Sequence, residues 1–108
     1  MYRVMIIDDE KALRNILKAA VDWQEMGLEV VGEAASGIEA INIIDKLHPD
    51  IIFVDIRMPF MDGIEFSKIA LKRYRQMKII ILTAFDEFEY AKEAVHLEIK
   101  EYMLKPIS

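Results

Sequence analysis

Three short runs of apolar, mostly β-branched residues constrain the fold more than any other feature of the sequence. They are Val4 to Ile7, Ile51 to Val54 and Ile79 to Leu82, and each ends abruptly at a polar residue. Such runs are typical of strands buried on both faces of a parallel sheet. Two weaker runs, Leu28 to Gly32 and Tyr102 to Leu104, indicate a more exposed strand and a last strand that a proline stops. The sequence therefore predicts five strands.

Helical patterns separate these strands. Residues on one side of the first helix are apolar and predict packing against the sheet, whereas Arg14, Asn15 and Lys18 fall on the other side. The apolar residues are Ala12, Leu13, Ile16, Leu17, Ala20 and Val21. Three more helix starts are marked by a capping oxygen three positions before a carboxylate. These pairs are Ser36 with Glu39, Asp62 with Glu65, and Asp86 with Glu89. The segment His48-Pro49-Asp50 closes the second helix, because the residue before a proline is disfavoured in the helical region.

Strands that alternate with helices imply right-handed βαβ units. The predicted fold class is therefore α/β, a doubly wound five-stranded parallel sheet with helices on both faces. The chain stops at Ser108, directly after the fifth strand, so we expect that a fifth covering helix is missing through C-terminal truncation.

The composition excludes several classes of protein. A chain of 108 residues, 54% apolar and 31% charged, is expected to form one globular domain over residues 1–108. The absence of cysteine excludes disulfides and thiolate metal sites, and a net charge of −5 argues against direct binding to nucleic acid. No apolar run approaches the ~20 residues that span a bilayer, so we expect no membrane contact and a cytoplasmic location.

Polar residues that follow the predicted strands form the candidate site. Strand one is followed by Asp8 and Asp9, strand three by Asp55, strand four by Thr83 and strand five by Lys105. In parallel α/β sheets, ligands bind beyond the carboxyl ends of the strands. We therefore expect three carboxylates, a hydroxyl and an ammonium group to converge at one edge of the sheet.

The expected cluster of carboxylates requires a cation, because crowded negative charges repel one another. Oxygen ligands without a nearby histidine or cysteine favour Mg²⁺, which also binds phosphate oxygens. An aspartate can be the nucleophile in phosphoryl transfer, and Mg²⁺, Lys105 and Thr83 would neutralise the transferred group. The pattern predicts a phosphoryl site with Mg²⁺ as its cofactor.

Four short motifs occupy the ends of the predicted strands. They are Asp8-Asp9-Glu10, Asp55-Ile56-Arg57-Met58-Pro59 with Asp62-Gly63, Thr83-Ala84, and Lys105-Pro106. In order, spacing and placement they resemble the receiver domains of bacterial two-component response regulators, along the whole chain. The resemblance implies the flavodoxin-like strand order 2-1-3-4-5. It also implies a phosphoacceptor signalling domain, which catalyses only its own phosphoryl transfer and dephosphorylation and is not otherwise an enzyme.

The resemblance implies a role for each residue of the site. Asp55 would be phosphorylated by a sensor histidine kinase, and Lys105 would pair with the phosphoryl oxygens. Thr83 and Tyr102 would be the switch pair that moves on phosphorylation. The Mg²⁺ ligands would be Asp8, Asp9, Asp55 and the backbone carbonyl of Arg57.

Residues 23–34 and 85–91 resemble the receivers that precede AraC-type helix-turn-helix domains. The parent protein would then be a transcription regulator whose C-terminal output domain is absent from this chain, and homodimerisation on activation would be expected. Glu98 departs from the family, which usually has glycine there, so the turn before the fifth strand and the signalling face are expected to differ.

Simpler interpretations stay open for the site residues. Asp8 and Asp9 would cap the first helix, since aspartate is favoured at helix starts. Asp55 would be an ordinary loop acid, Thr83 would satisfy local backbone groups, and Lys105 would be a solvated lysine. One cap needs only one residue, however, and an ordinary loop acid has no reason to be followed by Met58-Pro59 and Asp62-Gly63.

The aromatic and imidazole side chains are less specific. Tyr102 lies on a predicted strand, where an aromatic residue equally indicates core packing. His48 and His96 have no second ligand at metal spacing, so we interpret them as surface or cap residues.

Other functions compete with this interpretation. A haloacid-dehalogenase-like phosphatase would need a second acid two residues after the nucleophile, where the chain has Arg57. A nucleotide or flavin module would need a glycine-rich phosphate loop after strand one, where the chain has two acids. A receiver-like interaction module that no longer accepts phosphate is the remaining alternative, and a stand-alone receiver is a variant within the same class.

Overall fold

Strands and helices alternate along the chain. In the computed structural model, the described residues are 1–83 and 101–104. The elements are β1 (Tyr2–Ile7), α1 (Lys11–Ala20), β2 (Leu28–Ala34), α2 (Gly37–Leu47), β3 (Ile51–Asp55), α3 (Gly63–Arg73), β4 (Lys78–Thr83) and β5 (Glu101–Leu104). Each strand contains the run that predicted it, extended by one or two residues at one or both ends.

The five strands form one parallel sheet in the order β2-β1-β3-β4-β5. This arrangement confirms the predicted fold class and strand order. β1 and β3 lie inside the sheet, and their apolar residues are almost fully buried from Val4 to Ile7 and from Ile52 to Val54, whereas β2 lies at an edge and is mostly half-buried. A parallel sheet brings the carboxyl ends of neighbouring strands to the same edge, where the candidate site is expected.

Two apolar clusters cover the two faces of the sheet. Alternation along β1 sends Val4 and Ile6 to one face, where they pack with Leu17 of α1, and Met5 and Ile7 to the other, where they join residues of α2 and α3. The central strands are therefore apolar without interruption because each face has its own layer of helices.

The helix boundaries follow the predicted capping residues. Ser36 accepts a hydrogen bond from the Glu39 amide at 3.1 Å, and Asp62 accepts one from the Glu65 amide at 2.8 Å. Both predicted starts are confirmed, while the pair Asp86 and Glu89 lies outside the described residues. α2 ends before His48, which takes a left-handed conformation as the helix C-cap. Its interpretation as a cap residue is confirmed, and His96 lies outside the described part of the chain.

The apolar stripe of α1 is only partly buried. Leu17 is fully buried and Leu13 and Val21 are half-buried, but Ile16 is 45% exposed, and Ala12 and Ala20 are exposed with it. The prediction that the whole stripe packs on the sheet is wrong for those three residues. These three residues are spaced four positions apart and therefore lie along one side of the helix, and this side faces away from the sheet.

Within the described ranges, no helix has both the length and the apolar character needed to cross a membrane.

Candidate functional site

The ends of β1, β3 and β4 bring the predicted site residues to one edge of the sheet. Ile7 pairs with Val54, so the residues that come next, Asp8 and Asp55, stand side by side at the carboxyl ends of neighbouring strands. Thr83 is the last residue of β4, the strand on the other side of β3. The structure therefore brings together, in the backbone, the residues that the sequence placed at separate strand ends.

β5 leads the chain back to the same edge. Its last residue, Leu104, pairs with Thr83, and Tyr102 pairs with Ile81. The side chains of Thr83 and Tyr102 are not described, and Lys105 lies outside the described residues, as does Glu98. The roles of these residues stay predictions.

Asp8 and Asp55 are buried carboxylates. Asp8 is 1% exposed and Asp55 is 4% exposed. Alternation along their strands places Asp8 on the side of Ile6 and Asp55 on the side of Phe53, which is the α1 side of the sheet. Two buried acids on one face of neighbouring strands need positive charge or donors nearby, because burial of a charge is costly otherwise.

The loop between β1 and α1 adds two further acids, Asp9 and Glu10, beside Asp8. One carboxylate oxygen from each of Asp8, Asp9 and Glu10 lies within 4.8 Å of the others. In an octahedral Mg²⁺ site with ligands at about 2.1 Å, opposite oxygens are about 4.2 Å apart. The three oxygens therefore lie near the separation found in a magnesium site, and they are the ligand atoms that this ion prefers. Glu10 joins this cluster although it is not among the predicted ligands, and its place in a row of three acids is the sequence signal for it.

Asp8 and Asp9 do not cap α1 with their side chains. The N-cap of this helix is Glu10, which makes no side-chain capping bond. Instead, Asp8 Oδ1 accepts a hydrogen bond from the Glu10 amide at 3.0 Å, which closes a tight turn at the end of β1. The alternative interpretation of these two acids as helix caps is therefore wrong for this structure.

An open groove of about 510 Å³ lies beside the end of β3. It is lined by Ile56, Arg57, Met58, Pro59 and Asp62. The Arg57 side chain is exposed, and an arginine cannot act as the second acid that a dehalogenase-like phosphatase would need at this position. The groove is open to solvent along the loop that follows Asp55.

The loop after β3 holds a strained turn that the sequence did not reveal. Phe60 has a φ of 68° and is 95% exposed, and the Met61 amide donates to the Pro59 carbonyl across it at 2.7 Å. This is a γ-turn of the rare form with positive φ. Because residue 60 is phenylalanine and not glycine, the sequence does not predict a positive φ at this position. Strain of this kind is concentrated at functional sites.

α3 begins in direct contact with the backbone of Asp55. The Gly63 amide donates to the Ile56 carbonyl at 2.7 Å. A Cβ atom at Gly63 would lie 2.2 Å from the Asp55 carbonyl oxygen, so only glycine fits this close approach. The Asp62-Gly63 pair therefore both starts α3 and sets its distance from the end of β3.

Solved structures with the same fold share sequence with this chain. The receiver domain of AraT, a response regulator from Geobacillus stearothermophilus, is 39% identical with a TM-score of 0.94, over 99% of this chain and 83% of that chain. A two-component transcriptional regulator AraC from Clostridium phytofermentans is 36% identical with a TM-score of 0.91, over 100% of this chain and 84% of that one.

Family and curated comparisons agree with the structures. The response regulator receiver domain model matches residues 4–108. The transcriptional regulatory protein YesN of Bacillus subtilis is 37% identical over 98% of this chain and 29% of its own length. HptR of Staphylococcus aureus, also named a transcriptional regulatory protein, is 34% identical over 99% of this chain and 42% of its own length. The chain thus spans well under half the length of these relatives.

Proposed function

The chain belongs to the response regulator receiver family of two-component signalling, and from this premise we propose that Asp55 accepts a phosphoryl group from a histidine kinase. The observation that carries the proposal is the placement of Asp55. It is buried, it ends a central strand next to Asp8, and the loop that follows it lines the groove at Arg57. A buried carboxylate at this edge is positioned as a nucleophile rather than as a surface acid.

The proposed reaction is a phosphoryl transfer to the side chain of Asp55. A carboxylate oxygen attacks phosphorus, the bond from phosphorus to the leaving group breaks, and the new P–O bond makes an aspartyl phosphate. With a histidine kinase the leaving group is the imidazole of the phosphohistidine. Because little covalent chemistry is required of the protein, its contribution is positioning and neutralisation of charge.

Asp8, Asp9 and the backbone carbonyl of Arg57 would hold Mg²⁺ together with Asp55, and the carboxylate of Glu10 lies close enough to take part. When bound, the ion supplies the positive charge that neutralises the phosphoryl oxygens. Lys105 and Thr83 would add an ammonium group and a hydroxyl. Support for these two residues comes from the strand order and from the family resemblance.

The proposed output is a change in an attached domain. The relatives are named transcriptional regulatory proteins and are more than twice as long as the matched region. We therefore propose that residues 1–108 are the receiver part of a cytoplasmic transcription regulator with a C-terminal, AraC-type output domain. Phosphorylation would shift the Thr83–Tyr102 switch pair and favour a dimer.

The deciding experiment compares the wild type with Asp55→Asn. Each protein is incubated with Mg²⁺ and an acyl phosphate as donor, and intact mass is measured. The wild type is expected to gain one phosphoryl group that chelation of Mg²⁺ abolishes. Asp55→Asn is expected to gain none, because an amide is not a nucleophile here. A control, Asp45→Asn, changes an exposed acid on α2 and should behave as the wild type.

Two results would contradict the proposal. If Asp55→Asn is modified as fast as the wild type, the phosphorylated residue is another acid. If neither protein is modified although both are folded, the chain is a phosphorylation-independent interaction module.

A further inference from the structure

Arg14 of α1 links the edge strand β2 to the loop between β1 and α1, which carries Asp8, Asp9 and Glu10. Its Nη1 donates to the backbone carbonyl of Asp8 at 2.6 Å, and its Nε donates to Glu33 Oε1 at 2.8 Å. The Arg14 side chain is only 13% exposed, so it is held against the protein rather than extended into water. A side chain of the polar side of α1 thus contacts the loop that carries the proposed magnesium ligands.

The peptide groups of Asp8 are held from both sides. Its amide donates to the Ala34 carbonyl at 3.1 Å, and its carbonyl accepts from Arg14. The carboxylate of Asp8 also accepts a hydrogen bond from the Glu10 amide. With both backbone groups anchored, the direction of the Asp8 side chain and the course of the loop through Asp9 depend on where Arg14 lies.

Glu33 in turn fixes the position of Arg14. Its two carboxylate oxygens bind Arg14 and Lys18, which lie one turn apart on α1. The hydrogen bond from Lys18 lowers the pKa of Glu33, burial opposes this, and the hydrogen bond from Arg14 adds to the lowering. Glu33 is therefore ionised at neutral pH and holds the guanidinium through a charge-assisted bond.

We propose that Arg14, held by Glu33, is a positioning residue for magnesium binding. It keeps the Asp8 peptide in the orientation in which the loop carboxylates converge, and it does not touch the ion or the phosphoryl group. Lys18 shares Glu33 but has no contact with the loop within the described structure. This inference rests on the proposed function of the site.

A positioning role and a purely electrostatic role of Arg14 predict opposite effects of its removal on Mg²⁺ binding. If Arg14 acted only as a cation near three acids, its removal would strengthen Mg²⁺ binding, because a repelling charge is lost. If it positions the loop, its removal weakens Mg²⁺ binding. Glu33→Gln keeps the guanidinium charge but releases its anchor, so positioning predicts weaker binding for this variant as well. Loss of the Glu33 negative charge acts in the same direction, so Arg14→Gln is the variant that separates positioning from charge.

Calorimetric titration with Mg²⁺ tests the inference on the wild type, Arg14→Gln, Glu33→Gln and Lys18→Gln. Arg14→Gln and Glu33→Gln are expected to bind Mg²⁺ roughly threefold to tenfold more weakly, a modest loss for an outer contact of a metal site. Lys18→Gln, the matched control, should stay within about twofold of the wild type, as expected for an exposed ion pair. At saturating Mg²⁺, phosphorylation of Arg14→Gln should recover to about the wild-type rate, which a damaged fold would not allow.

Unchanged or tighter Mg²⁺ binding by Arg14→Gln, with a wild type that binds the ion, would overturn the role of Arg14 alone, whatever the result for Glu33→Gln. A folded wild type that takes up no Mg²⁺ would overturn the magnesium site, and with it both proposals. If Arg14→Gln fails to fold, Arg14→Lys replaces it in the test. This variant keeps the positive charge but loses the two-point contact of the guanidinium with Asp8 and Glu33, so positioning predicts weaker Mg²⁺ binding and charge alone predicts no change.

Discussion

At the scale of single residues, the absence of a Cβ atom at Gly63 allows α3 to begin against the backbone of Asp55. We predict that Gly63→Ala destabilises the protein by about 1–3 kcal/mol, because a Cβ 2.2 Å from the Asp55 carbonyl forces the backbone apart. The same displacement should slow Mg²⁺-dependent phosphorylation. Urea unfolding and the mass assay measure the two effects.

Gly37 provides the matched control for Gly63. It is also the first residue of a helix, but its added Cβ would lie 3.0 Å from Met61 and does not meet Asp55. Gly37→Ala is expected to cost less stability and to leave the phosphorylation rate within about twofold, because part of the contact is a flexible side chain. An equal slowing in both variants would mean that the Asp55 contact has no special role.

At the scale of elements, the ion pairs of Glu33 tie α1 to β2, and their contribution to stability depends on pH. The pKa of Glu33 lies below its ordinary value of 4.5 in the folded protein. The contribution is therefore present above pH 4.5 and is lost as the pH falls through the lower, folded pKa. It is modest, about 0.5–1 kcal/mol, since the side chains are partly exposed.

Urea unfolding of the wild type and Glu33→Gln across pH 7 to pH 3 checks this dependence. The wild type should be the more stable of the two at pH 7, and the difference should shrink as the pH falls below about 4.5, since Glu33 then takes up a proton and resembles glutamine. A difference that stays constant down to pH 3 would show that the ion pairs do not stabilise the fold.

At the scale of the whole molecule, the two apolar clusters share the central strands and should unfold together. Trp23 packs edge-on against Phe53 on the α1 side, with ring centroids 5.5 Å apart, and is the only tryptophan of the chain. Ile44 of α2 is fully buried in the other cluster. Because β1 and β3 contribute to both clusters, damage on one face should be detected on the other.

We predict that Ile44→Ala lowers the free energy of unfolding by about 2–5 kcal/mol. Trp23 fluorescence and circular dichroism should give the same, lower urea midpoint, although Trp23 lies across the sheet. Ile38→Ala makes the same change on the same helix at a position that is 49% exposed, and should cost less than about 0.5 kcal/mol. Separate midpoints for the two probes would show that the faces unfold independently.

The sequence by itself determined the strands, their parallel direction and the strand ends at which Asp8 and Asp55 lie, whereas the strand order was implied by the family resemblance. These features depend on local patterns, because a strand buried on both faces must be continuously apolar and its first polar residue marks the carboxyl end. Ser36 and Asp62 predicted helix starts for the same reason, since a capping bond joins residues three apart.

Only the tertiary structure decided the contacts between distant residues. Arg14 meets Asp8 and Glu33 because α1 folds over the end of β2, and nothing in the spacing of these residues predicts which charged side chains pair. The turn at Phe60 and the contact of Gly63 with Asp55 also depend on how a loop fits its surroundings. Sequence periodicity sets which face a residue occupies, whereas distances between elements arise from packing, which local patterns do not contain.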